Sequence, residues 1–325
     1  MKKKLVIAGG TGFIGASLIK HFSKNNQVIV LTRGLMNEQN NSYGRQKELT
    51  NTPNLKYVLW DGRNQGSWTS VLEDAHLLIN LCGKSVNCRY TDRNKEEILD
   101  SRIQPTIALG EAIRNCIAPP KLWINASSAT IYRNATDRPQ DEYTGEIQND
   151  FSVQVCKVWE KSFFDFRTPF TRKVALRMAV TLGSEGVMIP YFNLLKFGLG
   201  GRQGNGKQVY SWVHIKDTIN IINWLVAHTA MEGVYNCCSP FPVSNENFMK
   251  TLRKAAGIKL GLPAYEWMLQ LGAKLIGTET ELLLKSRWVL PTKLLESGYK
   301  FEYGFIKDAF AEIIQDTPRK NYHLF

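Results

Sequence analysis

The 325-residue chain lacks several features, and each absence removes a class of function. No uninterrupted apolar run approaches the roughly 20 residues of a membrane-spanning helix, which argues against a membrane-embedded protein. Six cysteines are present (Cys82, Cys88, Cys116, Cys156, Cys237 and Cys238), but no two form a C-x-x-C pair and none has a histidine at zinc-finger spacing. A structural metal or disulfide frame is therefore not expected. The adjacent Cys237 and Cys238, in the strand-like "VYNCCS", read as buried free thiols. There is no dense basic run and no basic helix interleaved with aromatics, although the formal net charge is +12. Scattered lysines and arginines bear on solubility, so nucleic-acid and membrane partners are not expected. The opening "MKKKLVIAGGTGFIGASLIKHF" has no small-x-small cleavage site and carries four glycines, which argues against a secretory signal and for a cytoplasmic chain. Repeats and low-complexity tracts are also missing.

What the chain does have is alternation. "KLVIAGG", "QVIVLTR", "LKYVLWD", "HLLINLCG" and "KLWINASS" are short aliphatic runs bounded by turn residues. Between them, "GFIGASLIKHFSKN", "SWTSVLEDA" and "DRNKEEILDSRIQPTIALGEAIRN" repeat apolar positions at three- and four-residue spacing. Strands that are apolar throughout, alternating with helices, predict a parallel sheet covered on both faces. Further on come a helix near "FSVQVCKVWEKSFFDF", strands in "RKVALRMAVTLG", "QVYSWVH" and "GVYNCCS", and the helix "DTINIINWLVAH". Beyond Pro242 the pattern turns helical, with "NENFMKTLRKAAG", "AYEWMLQLGAKLIG" and "FIKDAFAEIIQ". The expectation is an α/β protein with a Rossmann-type doubly wound parallel sheet and a smaller, mainly α-helical C-terminal lobe. Residues 1–240 would form the nucleotide-binding domain, with 184–212 contributing to a substrate lobe, and 241–325 a small C-terminal domain. Asn37 to Thr52 is polar and reads as a loop. Trp60, Trp68, Trp159 and Trp224 read as core.

Gly10, Gly12 and Gly15 form G-x-G-x-x-G at the opening of the first helix, and Gly9, Gly12 and Gly15 satisfy the related G-x-x-G-x-x-G spacing. Such a turn brings bare backbone close to a pyrophosphate and aims a helix N-terminus at it. The motif follows a strand and precedes a helix, the context it requires. Where NAD-binding proteins usually carry an acid, at the end of the second strand, this chain has Thr32 and Arg33. An arginine suits a 2′-phosphate, so NADP (NADPH) is the expected cofactor.

"AGGTGFIG", "SSATIY" and "SWVHIKD" together resemble an extended short-chain dehydrogenase/reductase. "NLCGKSV", "RYTDRNKEEILDSRI", "FGLGGRQGNGKQVYSWVHIKD", "GVYNCCSPFPVSNENF" and "LLLKSRWVLPTKLLESGYKFEY" are similar to one atypical branch, the epimerase-family proteins, over nearly the whole chain. The resemblance implies NADP binding and a substrate cleft between two lobes. It places cofactor contacts at Gly9, Gly10, Thr11, Gly12, Phe13, Ile14, Gly15, Arg33, Asp61, Leu81, Cys82, Gly83, Arg102 and Ser127.

The superfamily works with a serine, a Tyr-x-x-x-Lys pair and an asparagine, the lysine lowering the pKa of an otherwise too weakly acidic phenol. Ser128 matches the serine. The helix "FSVQVCKVWE" has no tyrosine. One alignment frame sets Val153 and Lys157 at the pair; a frame anchored on Glu160 sets Ser152 and Cys156 there. Arg102 stands at the asparagine position and cannot relay protons. The candidate catalytic group is thus Ser128, Tyr132, Lys157 and Arg102, with Tyr132 the substitute phenol. His214 and Tyr210 read as structural. Arg89, Arg102 and Arg202, with Lys84, would surround the cleft and suit a small anionic substrate. Two readings stay open: an NADP-dependent oxidoreductase or epimerase-like enzyme, and a non-catalytic NADP(H)-responsive binding protein, either as monomer or homodimer.

Overall fold

The five aliphatic runs of the first half become five neighbouring strands: β1 (Lys4–Ala8), β2 (Gln27–Thr32), β3 (Leu55–Leu59), β4 (Leu77–Asn80) and β5 (Leu122–Ser128). These positions come from a computed structural model that describes residues 2–34, 52–268 and 285–323. Two later runs are each divided between sheets. "RKVALRMAVTLG" yields β6 (Arg172–Met178) and β7 (Val180–Leu182), and "QVYSWVH" yields β8 (Val209–Tyr210) and β9 (Trp212–His214). With β10 (Gly233–Cys237), the main sheet runs β10-β6-β5-β4-β1-β2-β3, and every pairing in it is parallel. β7 pairs with β9, and β8 pairs antiparallel with β11 (Val243–Ser244).

The period of two is visible in β1. Leu5 and Ile7 face a core completed by α1 (Phe13–Phe22) and α5 (Ile215–Ala227). Val6 and Ala8 face the opposite core, completed by α2 (Asp92–Asn115) and α3 (Phe151–Phe164). A third core gathers Tyr191 and Phe192 of α4 (Met188–Lys196), Tyr210, Trp212, Phe248 of α6 (Asn245–Ala255) and Phe310 of α8 (Ile306–Gln315). The short α7 (Thr292–Glu296) lies against β10. Fold class and the smaller helical C-terminal region match the sequence expectation.

Some local expectations differ. "SWTSVLEDA" forms a single short 3₁₀ turn over Ser67–Leu72, too few residues for an α-helix bracketed by Gly66. "AYEWMLQLGAKLIG" beyond Met268 lies outside the described residues, as does the Asn37–Thr52 loop up to Asn51. Trp60, Trp68 and Trp159 are buried, and so are Cys237 and Cys238; all six cysteines are free thiols. No helix among the described residues is long and apolar enough to cross a membrane.

Candidate functional site

The switch point of the sheet is β1. Successive strands proceed outward from it through β2 and β3 on one side, and through β4, β5, β6 and β10 on the other. A crevice therefore opens at the carboxyl ends of the strands between β1 and β4, where doubly wound sheets hold dinucleotides. The glycine turn occupies this crevice. Gly9 has φ +73°, and a Cβ on it would lie 2.8 Å from the Cys82 amide nitrogen. A Cβ on Gly15 would collide with the Gly10 carbonyl, so α1 packs directly against the turn. Gly12 is different: no atom lies within 4 Å of its would-be Cβ. It is the N-cap of α1 with extended backbone (φ −79°, ψ 175°), supplies no side-chain cap and is followed by no acid in the first turn. The helix thus begins at a bare, open end with N–H groups that lack intrahelical acceptors, a fit for the pyrophosphate of a dinucleotide. Thr11 is exposed at the rim of the turn; Phe13 and Ile14 are part-buried, with Phe13 beneath Gly183 and Gly186.

On one side of the turn stands Arg33, exposed at the end of β2, its charge reaching Cys82. Asp61, expected to touch the cofactor, is exposed and accepts from the backbone N–H of Arg63 (2.8 Å) and Asn64 (2.9 Å) and from Asn64 Nδ2 (2.6 Å). Those donors hold its carboxyl below the usual range. Its oxygens close their own turn.

On the other side, Leu81, Cys82 and Gly83 leave β4 along the turn, Leu81 N–H donating to the Ala8 carbonyl (2.9 Å). Burial pushes the Cys82 thiol up to about 12. Arg102 lies flat against Gly83: a Cβ there would meet its guanidinium carbon at 3.2 Å. The guanidinium donates to the Ile98 carbonyl (2.8 Å) and sits 5.2 Å from the Trp159 ring centroid. Beneath it, Asn80 donates to Asn125 Oδ1 (2.7 Å) and Thr106 Oγ1 (3.1 Å), and Trp159 Nε1 donates to the same Thr106 oxygen (3.1 Å). This buried amide and hydroxyl cluster fixes the α2 turn that carries Arg102.

Ser127 and Ser128 end β5 and point to opposite faces. Ser128 Oγ accepts from the Thr130 N–H (3.2 Å) and remains part-exposed at the cleft. Ser127 is a correction: it is buried, and its hydroxyl donates to Glu160 Oε1 (2.6 Å). Tyr132 is another. Only 1% exposed, its hydroxyl donates to Asn236 Oδ1 (3.0 Å) and accepts from Arg177 Nη1 (2.8 Å). Burial, opposed by Arg177, pushes it up to about 12. A phenol so committed is a structural group and does not serve as the substitute acid.

Lys157 is the third correction. It is exposed on α3 and Val153 is in the core, whereas Cys156 lies within the fields of Arg102, Arg177 and Arg287. In the frame anchored on Glu160, Cys156, buried within reach of the Arg102 charge, takes the lysine position one helical turn from Ser152. Burial pushes the Cys156 thiol up to about 12, so it is neutral at physiological pH.

Sequence reasoning missed Arg177 and Asn236. Arg177 binds Glu160 through Nε (2.8 Å) and Nη2 (2.7 Å), and Asn236 donates through Nδ2 to the Leu290 carbonyl (2.9 Å) and through its backbone N–H to Glu142 Oε1 (2.8 Å). The chain Ser127–Glu160–Arg177–Tyr132–Asn236 runs from the active strand end to the C-terminal segment. A charge inside the apolar strand "RKVALRM" was the available signal, since an ion at a core position needs a partner.

Lys84 is engaged by Glu97 and by Asn94 Oδ1 (2.8 Å), and Arg202 is exposed on the 198–208 loop. The Arg89 carbonyl accepts from Asn94 Nδ2 (2.7 Å). Tyr210 is buried in the third core.

His214 is fully buried and structural: its Nε2 meets Glu312 Oε2 at 2.9 Å, and its Nδ1 accepts from the Lys216 N–H (3.3 Å) at the start of α5. Burial holds its pKa below 6.5, against the pull of Glu312. A histidine with a depressed folded pKa stabilises the fold above its unfolded pKa, and that stability is lost as pH falls through the folded value. The melting temperature should drop between about pH 7.5 and about pH 5, and less steeply in His214→Gln. Parallel profiles for the two proteins would remove His214 from the account.

Over 315 residues, covering 96% of this chain and 99% of the relative, the sequence is 31% identical to epimerase family protein SSP1921 of Staphylococcus saprophyticus. The chain belongs to the epimerase family. The model of the NAD dependent epimerase/dehydratase family matches residues 5–154, and a domain of unknown function, DUF1731, matches 266–313. Among solved structures, human epimerase family protein SDR39U1 (isoform 2) with NADPH superposes with TM-score 0.80 at 24% identity, covering 96% of this chain and 99% of that one. UDP-N-acetylglucosamine 4-epimerase from Methanobrevibacter ruminantium, in complex with UDP-N-acetylmuramic acid, superposes with TM-score 0.71 at 19% identity over 97% and 98% of the two chains. These two likenesses are of fold. Within the epimerase family, the first matched segment spans the glycine turn, Gly83, Arg102 and Ser128, the residues that this structure brings to one edge.

Proposed function

We propose that this chain is a cytoplasmic NADP(H)-dependent oxidoreductase or epimerase-like protein that acts on a small anionic molecule beside Ser128. One observation carries the reading: the open, uncapped start of α1 at Gly12, with Arg33 rather than an acid at the end of β2. Bare N–H groups take the pyrophosphate, and the guanidinium takes a 2′-phosphate. The NADPH held by the human family member supports the same choice. Residues 1–240 would hold the cofactor and 241–325 would complete the substrate cleft.

NADPH, when bound, would supply a hydride to a substrate carbonyl. The Ser128 hydroxyl would hydrogen-bond the carbonyl oxygen, an ordered water would give that oxygen its proton, and Arg102 would orient a carboxylate or phosphate. The Tyr-x-x-x-Lys relay is absent in this reading, because α3 has no tyrosine and Lys157 points outward. Without a tuned acid–base group, turnover should be about 10²–10⁴-fold below that of relatives that keep one. The committed Tyr132 hydroxyl favours a second reading, an NADP(H)-responsive binding protein whose partner senses the liganded form.

Fluorescence titration should give tighter binding of NADPH than NADH, and Arg33→Ala should bring the two together. Equal affinities in the parent protein would defeat the Arg33 argument. Deuteride transfer from labelled NADPH into any carbonyl compound of a test panel would favour the enzyme; none, with tight NADPH binding intact, would favour the binding protein.

A further inference from the structure

Arg102 brings to the candidate site a charge that no ion pair among the described residues compensates. Its partners are the Ile98 carbonyl, the Trp159 ring face and the surface of Gly83, and no carboxylate among the described residues pairs with it. Three acids near its helix and near α3 are engaged elsewhere. Glu97 is held by Lys84 and by Arg93 (2.9 Å), Glu160 by both ends of the Arg177 fork, and Asp150 by Lys285 (2.8 Å). The guanidinium is buried enough to rest on an indole face, and it stays protonated at neutral pH.

Its place in the crevice is set by a row of contacts. The phosphate turn at Gly9 packs on the Cys82 backbone; Gly83 follows Cys82, and Arg102 covers Gly83. This row lies on the β4 side of the switch point. A dinucleotide whose 2′-phosphate lies at Arg33, beyond β2, would lay its nicotinamide half on that side. Arg102 would then share that side with the ring that gains or loses charge.

We infer that Arg102 discriminates between the redox states of the cofactor: its uncompensated guanidinium against Gly83 repels the cationic ring of NADP⁺ but not the neutral ring of NADPH, so the protein retains the reduced form. The inference rests on the NADP(H) reading above. Two unit charges several ångströms apart in a partly dried site differ by enough to make the preference about tenfold or more.

Calorimetric titration of the full chain with NADPH, NADP⁺ and 2′-phospho-ADP-ribose tests it. The parent should bind NADPH about tenfold or more tightly than NADP⁺. Arg102→Gln should bring the ratio close to one, chiefly by tightening NADP⁺, while Arg102→Lys keeps most of the preference. All three proteins should bind 2′-phospho-ADP-ribose equally, because that fragment has no nicotinamide. Equal affinities for NADPH and NADP⁺ in the parent would overturn the inference, as would an unchanged ratio in Arg102→Gln. Loss of the fragment in Arg102→Gln would also overturn it, by assigning the guanidinium to a phosphate. Should Arg102→Gln fail to fold, the parent and Arg102→Lys ratios still decide. If neither the dinucleotides nor the fragment bind the parent, the cofactor reading itself fails, a result distinct from fragment binding with no redox preference.

Discussion

Replacing Gly12 by valine should weaken NADPH binding roughly 10- to 100-fold while lowering fold stability by no more than about 1 kcal/mol. A Cβ at Gly12 would meet no protein atom within 4 Å, and the extended backbone there tolerates any residue. The collision expected of the added side chain is with an anion seated on the first turn of α1. Pushing that anion outward costs at least one charge-assisted hydrogen bond, each about 1.5–3 kcal/mol. Gly15→Ala should behave differently, because its methyl group meets the backbone of Gly10 and the helix must shift. There, stability should fall by about 1–3 kcal/mol. Calorimetry paired with thermal unfolding separates the two: a Gly12→Val protein that binds NADPH like its parent would show that no phosphate sits there.

Arg177→Met should cost about 3–5 kcal/mol of unfolding free energy, read from urea denaturation. Both members of the pair with Glu160 are about nine-tenths buried, with 10% of each side chain exposed. Removing one leaves a carboxylate in the interior with only the Ser127 hydroxyl to solvate it, and it takes from the Tyr132 oxygen one of its two partners. The double variant Arg177→Met, Glu160→Met should recover a large part of the loss, since no bare charge remains. A single variant within about 0.5 kcal/mol of the parent would show that water reaches the pair.

The main sheet was legible because its strands are apolar throughout and its turns are punctuated by glycine. β1 to β5 coincide with the five aliphatic runs read from the chain. Gly9, Gly12 and Gly15 were legible for a similar reason, because the demands on a phosphate turn are local. Failures came wherever a side chain's use depended on distant partners. Tyr132 looked free for chemistry because Asn236 and Arg177, its partners, lie 104 and 45 residues away along the chain. Counting from Ser128 put Lys157 in the site because the path from β5 to α3 has no fixed length; only the burial of Glu160 sets the helix phase. Asp61 has the right type and place for an adenosine contact, and it stays exposed while accepting from Arg63 and Asn64. "QVYSWVH" reads as one strand, yet it breaks at Ser211, whose hydroxyl donates to the Arg287 carbonyl (2.7 Å) and accepts from the Val289 N–H (2.7 Å).

That break has a mechanical consequence. The stretch Ser286–Leu290 is stitched to both halves of the molecule. Trp288 and Leu290 exchange backbone hydrogen bonds with Gln140 (2.8 and 2.9 Å), in the loop beyond β5, while Arg287 N–H donates to the Val209 carbonyl (2.8 Å) of the other core. Swinging the two halves apart like a clam would tear these seams together, each leaving buried polar groups without partners. Traffic into the crevice should therefore run through local loop breathing at its sides, with the halves themselves staying riveted.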